Sequence, residues 1–182
     1  MGYGHWLQKS GSSTYAYDVR LARSRDAGKT FSLSFTPHHD GTLTEHGVAS
    51  LFQMPGAGLG LVWLDGRAMK SGGHDGHESG GDMSVRTAVF DQTGKQVSET
   101  PVNLRVCECC PTAAAVTSEG PIVAYRDRSP EEIRDIYVSR LVAGKWTTPV
   151  AVHNDAWQIA ACPVNGPALS ADGRNVAITW SP

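Results

Sequence analysis

The feature that most constrains the fold of this chain is the close spacing of its glycine and proline residues. The 182 residues include 20 glycines and 10 prolines, spread along the whole chain rather than gathered in one linker. A helix of three or four turns needs about a dozen residues with apolar side chains at a 3.6-residue period and without such breakers. Almost no window of the sequence meets this condition, so the chain is predicted to be rich in turns and poor in helix.

Short runs of β-branched and aromatic residues lie between these turns. Each run is bounded by Gly, Asp, Asn or Pro, which is the pattern of a β-strand. The clearest runs are 17–23, 59–64, 83–90, 121–125, 135–142 and 175–180. One segment differs, because Ser129, Pro130 and Glu132 form a capping box that predicts a single helical turn. With that exception, the predicted fold class is all-β.

Composition excludes several classes of function. The chain is 40% apolar and 19% charged with a net charge of −2, so it lacks the basic surface that nonspecific nucleic-acid binding needs. Its longest apolar stretch, 58–64, is far shorter than the roughly 18 to 20 residues that span a bilayer, and the first thirty residues lack a signal-peptide core. We therefore expect no nucleic-acid partner and no membrane span.

The strands recur in a fixed register along the chain. Three segments each contain a small-residue strand, a glycine-containing turn and an apolar strand closed by an aromatic residue. The closing residues are Trp63, Tyr125 and Trp180, which are 62 and 55 positions apart. A further strand begins at Asp18, Asp82 and Asp135, at intervals of 64 and 53 positions. Four strands in roughly 50 to 65 residues is the period of a β-propeller blade.

This register predicts one partial β-propeller domain over residues 1–182. Its blade pieces are 15–37, 47–104, 111–152 and 163–182, about three blades of four antiparallel strands. Since closure protects the sheet edges of a propeller, we expect the chain to be an interior fragment that joins missing blades or self-associates through open edges. The alternative is a complete β-sandwich, which explains the number of strands but not their register.

One turn carries a more specific pattern. The segment Ser24-Arg-Asp26-Ala-Gly28-Lys-Thr30-Phe31 matches S-x-D-x-G-x-T-[W/F] at every fixed position. In a closed hairpin turn the Asp can accept backbone N–H bonds, the Gly can take positive φ, and the hydroxyls tie the ends while the aromatic ring packs below. The segment resembles the Asp-box, or bacterial neuraminidase repeat, of sialidase-like β-propellers. We interpret this box as a structural element.

Five further motifs resemble recurring elements of bacterial proteins described as exo-α-sialidase-like. They are Thr44-Glu-His-Gly47, Trp63-Leu-Asp-Gly-Arg67, Cys107-Glu-Cys-Cys-Pro111, Ala124-Tyr-Arg-Asp-Arg128 and Cys162-Pro-Val-Asn-Gly166. The resemblance implies a six-bladed propeller, a glycoside hydrolase acting on an anionic sugar, a carbohydrate or glycoconjugate partner, and a periplasmic or secreted location. The alternative is a non-catalytic carbohydrate-binding or interaction propeller with a structural or redox Cys/His metal site. The N-terminal Arg-Ile-Pro type of signature is absent.

The blade register also predicts where functional residues meet. Blade entries and the loops between second and third strands share one face of a propeller. The predicted functional rim consists of loops 38–47, 64–69, 105–111, 125–135 and 160–166. Because His46, Cys110 and Cys162 occupy equivalent blade entries, we expect them to converge near the central channel, with Cys107 or Cys109 close by.

Carboxylates and arginines on this rim are the candidates for chemistry. The candidate catalytic residues are Asp65, Asp127 and Glu45, and the candidate substrate-binding residues are Arg67, Arg126, Arg128, His46 and Asn165. The resemblance implies that guanidiniums hold the sugar carboxylate, whose geometry matches their planar fork. It also implies a Tyr nucleophile assisted by a Glu, with an Asp as acid, but no Tyr or Glu is assigned to these roles. The alternative is local ion pairing, of Asp65 with Arg67 and of Asp127 with Arg128.

The cysteines allow three interpretations. The candidate metal ligands are Cys107, Cys109, Cys110, Cys162 and His46, because thiolates and imidazoles suit zinc or copper. Disulfides are the second interpretation, most simply from one loop cysteine to Cys162, although the adjacent Cys109 and Cys110 make two independent bridges awkward. Buried inert thiols are the third. No cofactor is expected to be required. Residues 74–78, in the glycine-rich stretch 71–81, are predicted to form a solvent loop rather than a metal site.

Overall fold

Antiparallel sheets make up the computed structural model, which describes residues 2–69 and 80–181. The strands are β1 (Gly2–Lys9), β2 (Tyr17–Ser24), β3 (His46–Met54), β4 (Gly58–Asp65), β5 (Ser84–Phe90), β6 (Gln96–Asn103), β7 (Ala113–Thr117), β8 (Gly120–Arg126), β9 (Ile136–Val142), β10 (Lys145–Trp146), β11 (Val150–Ala151), β12 (Ala168–Asp172) and β13 (Asn175–Thr179). Helical structure in the described ranges is limited to the 3-10 turn Pro55–Ala57. This confirms the all-β class, and each of the six predicted runs coincides with a strand to within one residue at either end.

Each sheet is built from strands that follow one another in the chain. Strands β3, β4, β5 and β6 form one four-stranded sheet, and β7, β8 and β9 form a second, whose outer edge is completed by β10 and β11. Because β10 and β11 pair with opposite ends of β9, they act as one interrupted fourth strand. Two hairpins, β1-β2 and β12-β13, precede and follow these sheets, and Phe35 pairs with Leu21 on the free side of β2.

The sheets pack side by side through their first strands and through strand β4. Strand β3 contacts β7, β7 contacts β12, and β2 contacts β3. Alternate side chains of β4 enter two different cores, as the period of two in a strand requires. The core toward β2 contains Val19, Leu21, Leu59, Leu61, Trp63, Ala88 and Phe90. The core toward β8 contains Phe52, Val62, Leu64, Met83, Val85, Val106, Val123 and Tyr125. Burial on both faces explains why β4 reads as a continuous apolar run.

The turn predicted at 24–31 forms by the hydrogen bonds expected of its residue types. Ser24 Oγ accepts the Gly28 N–H at 2.8 Å, and the Asp26 carboxylate accepts the Thr30 N–H at 2.9 Å and hydroxyl at 2.6 Å. Gly28 has φ +87°, a conformation that favours glycine. The bonds from Thr30 lower the pKa of Asp26 to about 2. Phe31 is 53% exposed, so its ring packs below the turn only in part.

Among the secondary-structure elements, the structure departs from the sequence expectations at two places. Strand β1 was not predicted, because its side chains are mostly exposed and show no alternation of apolar and polar residues; it pairs along the whole of β2. The helical turn predicted at Ser129 is wrong. Glu132 has φ +64° and its carboxylate bonds Arg128 at 2.8 Å and Arg134 at 2.9 Å, so it does not complete the capping box.

Candidate functional site

Two neighbouring strand ends position the first group of polar side chains. His46 begins β3 and pairs in register with Asp65, which ends β4. Asp18 lies near the start of β2, and the connection between Phe35 and β3 adds further residues. We call the resulting group the His/carboxylate cluster. Its members are Asp18, His38, Asp40, His46 and Asp65.

The two imidazoles of this cluster are stacked and surrounded by carboxylates. The rings of His38 and His46 have centroids 3.8 Å apart and an interplanar angle of 1°. His46 Nε2 lies 3.1 Å from Asp40 Oδ2 and 3.8 Å from Asp65 Oδ2. His38 Nδ1 lies 3.4 Å from Asp40, and its Nε2 lies 3.9 Å from Asp18. His46 and Asp65 are fully buried, and burial lowers the pKa of His38.

Asp65 is held in its ionised form by specific donors. It accepts hydrogen bonds from Trp63 Nε1 at 2.8 Å and from Arg67 Nε at 2.7 Å and Nη2 at 2.8 Å. Burial acts to raise the pKa of Asp65, but the Arg67 bonds and the nearby charges outweigh it, and the pKa lies below its usual value. Arg67 also bonds Glu99 at 2.6 Å. The Asp65–Arg67 ion pair considered from the sequence is therefore present.

The pKa of Asp127 is shifted in the opposite direction to that of Asp65. Its Oδ1 accepts a 2.7 Å hydrogen bond from Asn103 Nδ2, which also donates to the Tyr125 hydroxyl at 3.1 Å. Burial raises the pKa of Asp127 to about 6, although the Asn103 bond and the charge of Arg105 act to lower it. Arg128 points elsewhere, to Glu132 at 2.8 Å and to Glu108, so the local Asp127–Arg128 pair considered from the sequence does not form.

The Arg126 guanidinium donates its hydrogen bonds to backbone carbonyls. It is 2% exposed and donates to the carbonyls of Asn165 at 3.1 Å, Arg134 at 2.6 Å and Ser181 at 2.6 Å. Its guanidinium lies 4.7 Å from the ring centroid of Trp157. Arg126 thus fastens the loop after β11 and the end of the β12-β13 hairpin to β8. Asn165 reaches this network through its carbonyl oxygen.

The cysteines pair at disulfide distances. The Cα atoms are 5.7 Å apart in Cys107–Cys110 and 6.2 Å apart in Cys109–Cys162, within the usual range for disulfides. The predicted approach of Cys162 to the 107–110 loop is confirmed. The expectation that the adjacent Cys109 and Cys110 would not take part in two separate bridges is wrong, because they belong to different pairs. The thiols of Cys107, Cys109 and Cys110 are close enough to hold a metal ion, but they sit at pairing distance. His46 is grouped with Asp40 and Asp65 rather than with these thiols.

A salt-bridge network that was not singled out from the sequence lies beside the cysteines. Arg134 donates to Cys107 Sγ at 3.3 Å, Glu108 at 3.1 Å and Glu132 at 2.9 Å. Its side chain is 4% exposed. Other residues not singled out are Asp18, His38, Asp40, Asn103 and Arg105. A signal existed for two of them, because the motif His38-His-Asp40 opens a loop that was predicted to belong to the rim.

The remaining sequence predictions concern Glu45 and the segment 74–78. The Glu45 carbonyl accepts the Gly66 N–H at 2.7 Å, so its backbone helps to join β3 to the loop after β4. The segment 74–78 lies outside the described residues. In the described part of the chain, no helix has the length and apolarity needed to cross a bilayer.

Comparison with protein-family models and with curated proteins gave no match for this chain. Its function must therefore be argued from the site itself.

Proposed function

We propose that the chain supplies consecutive blades of a sialidase-like β-propeller whose rim hydrolyses a glycosidic bond of an anionic sugar. Support for the propeller comes from the two four-stranded sheets, each built from consecutive strands, with a hairpin on either side. Further support comes from the contacts of β3 with β7 and of β7 with β12. In a propeller the first strands of successive blades are neighbours around the central axis.

Asp127 carries the catalytic part of the proposal. A carboxyl with a pKa of about 6 is protonated often enough, in mildly acidic solution, to donate a proton to a leaving-group oxygen. The neighbouring Arg105 supplies a cation for the sugar carboxylate. Its side chain is 34% exposed; Nε donates to the Arg128 carbonyl at 3.1 Å, and the ion-pair contacts of its terminal nitrogens are long, 3.5 Å to Asp82 and 3.8 Å to Glu132. A guanidinium with this exposure can turn toward a ligand carboxylate.

A non-catalytic binding propeller is the second candidate. One observation favours it: the guanidiniums of Arg67, Arg126 and Arg128 are all engaged by acceptors of the chain itself. A sugar carboxylate would have to displace those acceptors. In this case the rim binds a carbohydrate or another partner without cleaving it and without using these guanidiniums, and the protonation of Asp127 has no catalytic consequence.

The test measures hydrolysis and binding separately on the purified chain. An aryl α-sialoside and a neutral aryl glycoside serve as substrates across mildly acidic and neutral pH, and calorimetry measures binding of free sialic acid. We expect the chain to hydrolyse the sialoside and not the neutral glycoside. The rate should fall as the pH rises through about 6, because Asp127 must be protonated to act as the acid. Asp127→Asn should abolish turnover and retain binding, whereas Asp172→Asn, at an exposed carboxylate, should change neither.

The two candidates give different outcomes. Binding of sialic acid with no turnover at any pH would favour the binding propeller and overturn the hydrolase. Turnover that survives in Asp127→Asn would remove Asp127 from the mechanism. Failure to bind the acidic sugar would overturn the hydrolase.

A further inference from the structure

The two cysteine pairs differ in their exposure to solvent. Cys107 and Cys110 are 0% and 1% exposed. In the other pair, Cys162 is an exposed residue of the connection between β11 and β12, and Cys109 is half-buried. Because reduction begins with the attack of a thiolate on a disulfide sulfur, access of the reductant limits its rate. A thiol in solution is therefore expected to reach the Cys109–Cys162 pair before the buried pair.

Few other interactions hold the chain around Cys162. We call residues 160–165 the clasp loop. Within the described ranges, 2–69 and 80–181, its one hydrogen bond to another part of the chain runs from Arg126 Nε to the Asn165 carbonyl, at 3.1 Å. The pairing of Cys162 with Cys109 supplies the covalent connection. When this pair opens, the loop keeps a single hydrogen bond.

Both ends of the clasp loop are fixed independently of the disulfide. Before the loop, the Trp157 carbonyl accepts the Arg134 backbone N–H at 2.9 Å, and the Ile159 carbonyl accepts Arg134 Nε at 3.1 Å. After the loop, Gly166 lies against the backbone of Pro111, where an added Cβ would be 2.1 Å from the carbonyl oxygen. Reduction should therefore release the loop and leave its neighbours in place.

The backbone of the clasp loop is strained at one position. Val164 has φ +53°, in the left-handed region that β-branched residues rarely adopt. Such a conformation persists only where the surrounding structure holds it. The restraints on either side are the pair at Cys162 and the hydrogen bond at Asn165. When the pair opens, Val164 should relax to negative φ and draw the Asn165 carbonyl away from Arg126.

The Arg126 guanidinium is the group that the clasp loop helps to cover. It is 2% exposed. Its hydrogen bonds go to three backbone carbonyls and to no carboxylate of the described residues. Buried charges are normally paired with an opposite charge. Loss of the Asn165 carbonyl would leave the Arg126 Nε–H free to bind an anion from solution.

We propose that the Cys109–Cys162 pair is a thiol-controlled clasp that governs access to Arg126. The reductant is a dithiol. One of its thiolates attacks Cys162 Sγ, forms a mixed disulfide there and displaces the Cys109 thiolate. The second thiolate attacks the reductant's own sulfur in the mixed disulfide, closes the reductant's internal disulfide and displaces the Cys162 thiolate. Both cysteines take up the protons that the dithiol gives up. The switch does not depend on hydrolysis by Asp127.

Stepwise reduction of the folded chain tests which pair opens first. Samples in rising concentrations of dithiothreitol are quenched in acid, and their free thiols are alkylated in denaturant and located by mass spectrometry. The freed Cys109 Sγ lies 3.9 Å from Cys107 Sγ and can exchange with it, so Cys162 is the diagnostic label. Cys162 and one cysteine of the 107–110 loop should become free at a concentration at least about tenfold below that which frees the other two. Release of all four thiols together, or of the loop thiols before Cys162, would overturn the proposal.

The chain in which only this pair is reduced tests whether the clasp loop opens. NMR measures the hydrogen exchange of the arginine Nε–H groups. Exchange at Arg126 should become at least about tenfold faster, because its Asn165 acceptor moves away. Arg134 Nε–H is the internal control, since its acceptor, the Ile159 carbonyl, lies outside the loop. Unchanged exchange at Arg126, or an equal increase at Arg134, would contradict the proposal.

Two variants separate the loss of the pair from other effects of the reductant. Cys162→Ser removes the bond without any reductant and should show the fast Arg126 exchange of the half-reduced chain. Ala161→Ser, at the neighbouring exposed position, keeps the pair and should behave as the oxidised parent does. If Cys162→Ser does not fold, the half-reduced parent decides the question. Slow exchange at Arg126 in folded Cys162→Ser would show that the pair does not control access to this guanidinium.

Discussion

Strands β4 and β8 end in the same short pattern, an aromatic residue followed two positions later by an aspartate, yet the two carboxyls have opposite properties. After Trp63, Asp65 is fully buried and its pKa lies below the usual value. After Tyr125, Asp127 has a pKa of about 6. Both carboxyls experience burial, which favours the neutral form. Burial raises the pKa of Asp127 but is outweighed at Asp65, so burial alone does not explain the difference between the two carboxyls.

The difference lies in the placement of one arginine. Arg67 follows Asp65 by two positions and folds back to bond it twice. The residue two positions after Asp127 is Ser129, and the intervening Arg128 is drawn to Glu132 and Glu108. Asp127 is left with a neutral amide as its direct partner. Equivalent backbone positions thus carry one carboxyl whose pKa is lowered and one whose pKa is raised to about 6.

Removing the positive charge of Arg67, beside Asp65 at the end of β4, should have the largest effect on stability. Arg67→Met leaves Asp65 buried without its bidentate partner, and breaking such a pair costs about 3 kcal/mol at neutral pH. Urea unfolding measures the loss. Arg174→Met breaks an exposed pair with Glu119 and should cost less than about 0.5 kcal/mol. If the two variants lost equal stability, Asp65 would not depend on Arg67. Asp65→Asn should recover part of the loss in the Arg67→Met background.

The contributions of Asp127 and Asp65 to the stability of the fold should change with pH in opposite directions. The pKa of Asp127 rises from 3.8 in the unfolded chain to about 6 in the fold, so the folded state binds this proton more tightly and stability falls as the pH rises from about 4 to 6. Asp65 has a lowered pKa, and its contribution is lost as the pH falls through that lowered value.

Asp127→Asn removes the first of these two effects. The variant should be more stable than the parent above pH 6, by about 1 to 2 kcal/mol once solvent screening of this partly exposed group is considered. The two proteins should have similar stability below pH 4. Unfolding in urea at several pH values measures this. The same advantage in Asp172→Asn, or none above pH 6, would contradict the assignment.

The sequence predicted the strands better than the contacts between side chains. The continuous apolar run in β4 and the turn at Asp26 follow from local residue types, and both formed as expected. Strand β1 has no such local signal and is ordered by pairing with β2. The capping box at Ser129 failed because Glu132 is bonded by Arg128 and Arg134 instead. Local propensity was overruled there by charge pairing.

The candidate site shows the same limit. His46, Asp65 and Arg67 could be selected one by one because the register places them at strand ends. The pKa of Asp127 could not be predicted, since it depends on Asn103, which is 24 positions away and meets it across the loop between the two four-stranded sheets. The stacking of His38 on His46 likewise depends on the path of an irregular connection, which has no periodic pattern.

A smaller effect is expected from the amide partner of Asp127. Asn103 donates a 2.7 Å hydrogen bond that favours the ionised carboxylate. In Asn103→Ala this hydrogen bond no longer opposes the effect of burial, so the pKa of Asp127 should rise above 6. Loss of the bond should lower the stability of the fold by about 1 kcal/mol. Titration of the side-chain carboxyl followed by NMR measures the shift. Asn175→Ala, at an exposed position, is the control. An unchanged pKa would mean that the Asn103 bond does not distinguish the two protonation states.

The smallest effect concerns Arg105, the charge that partly replaces Arg67 at the second strand end. It lowers the pKa of Asp127 through space rather than by a direct bond, and its side chain is 34% exposed. Such interactions contribute about 0.5 kcal/mol or less and are screened by salt. Arg105→Gln should therefore raise the pKa of Asp127 slightly. Added salt should do the same in the parent and in Arg105→Lys, which keeps the charge, but not in Arg105→Gln. If salt shifts the pKa of Asp127 equally in all three proteins, the charge that lowers this pKa belongs to a residue other than Arg105.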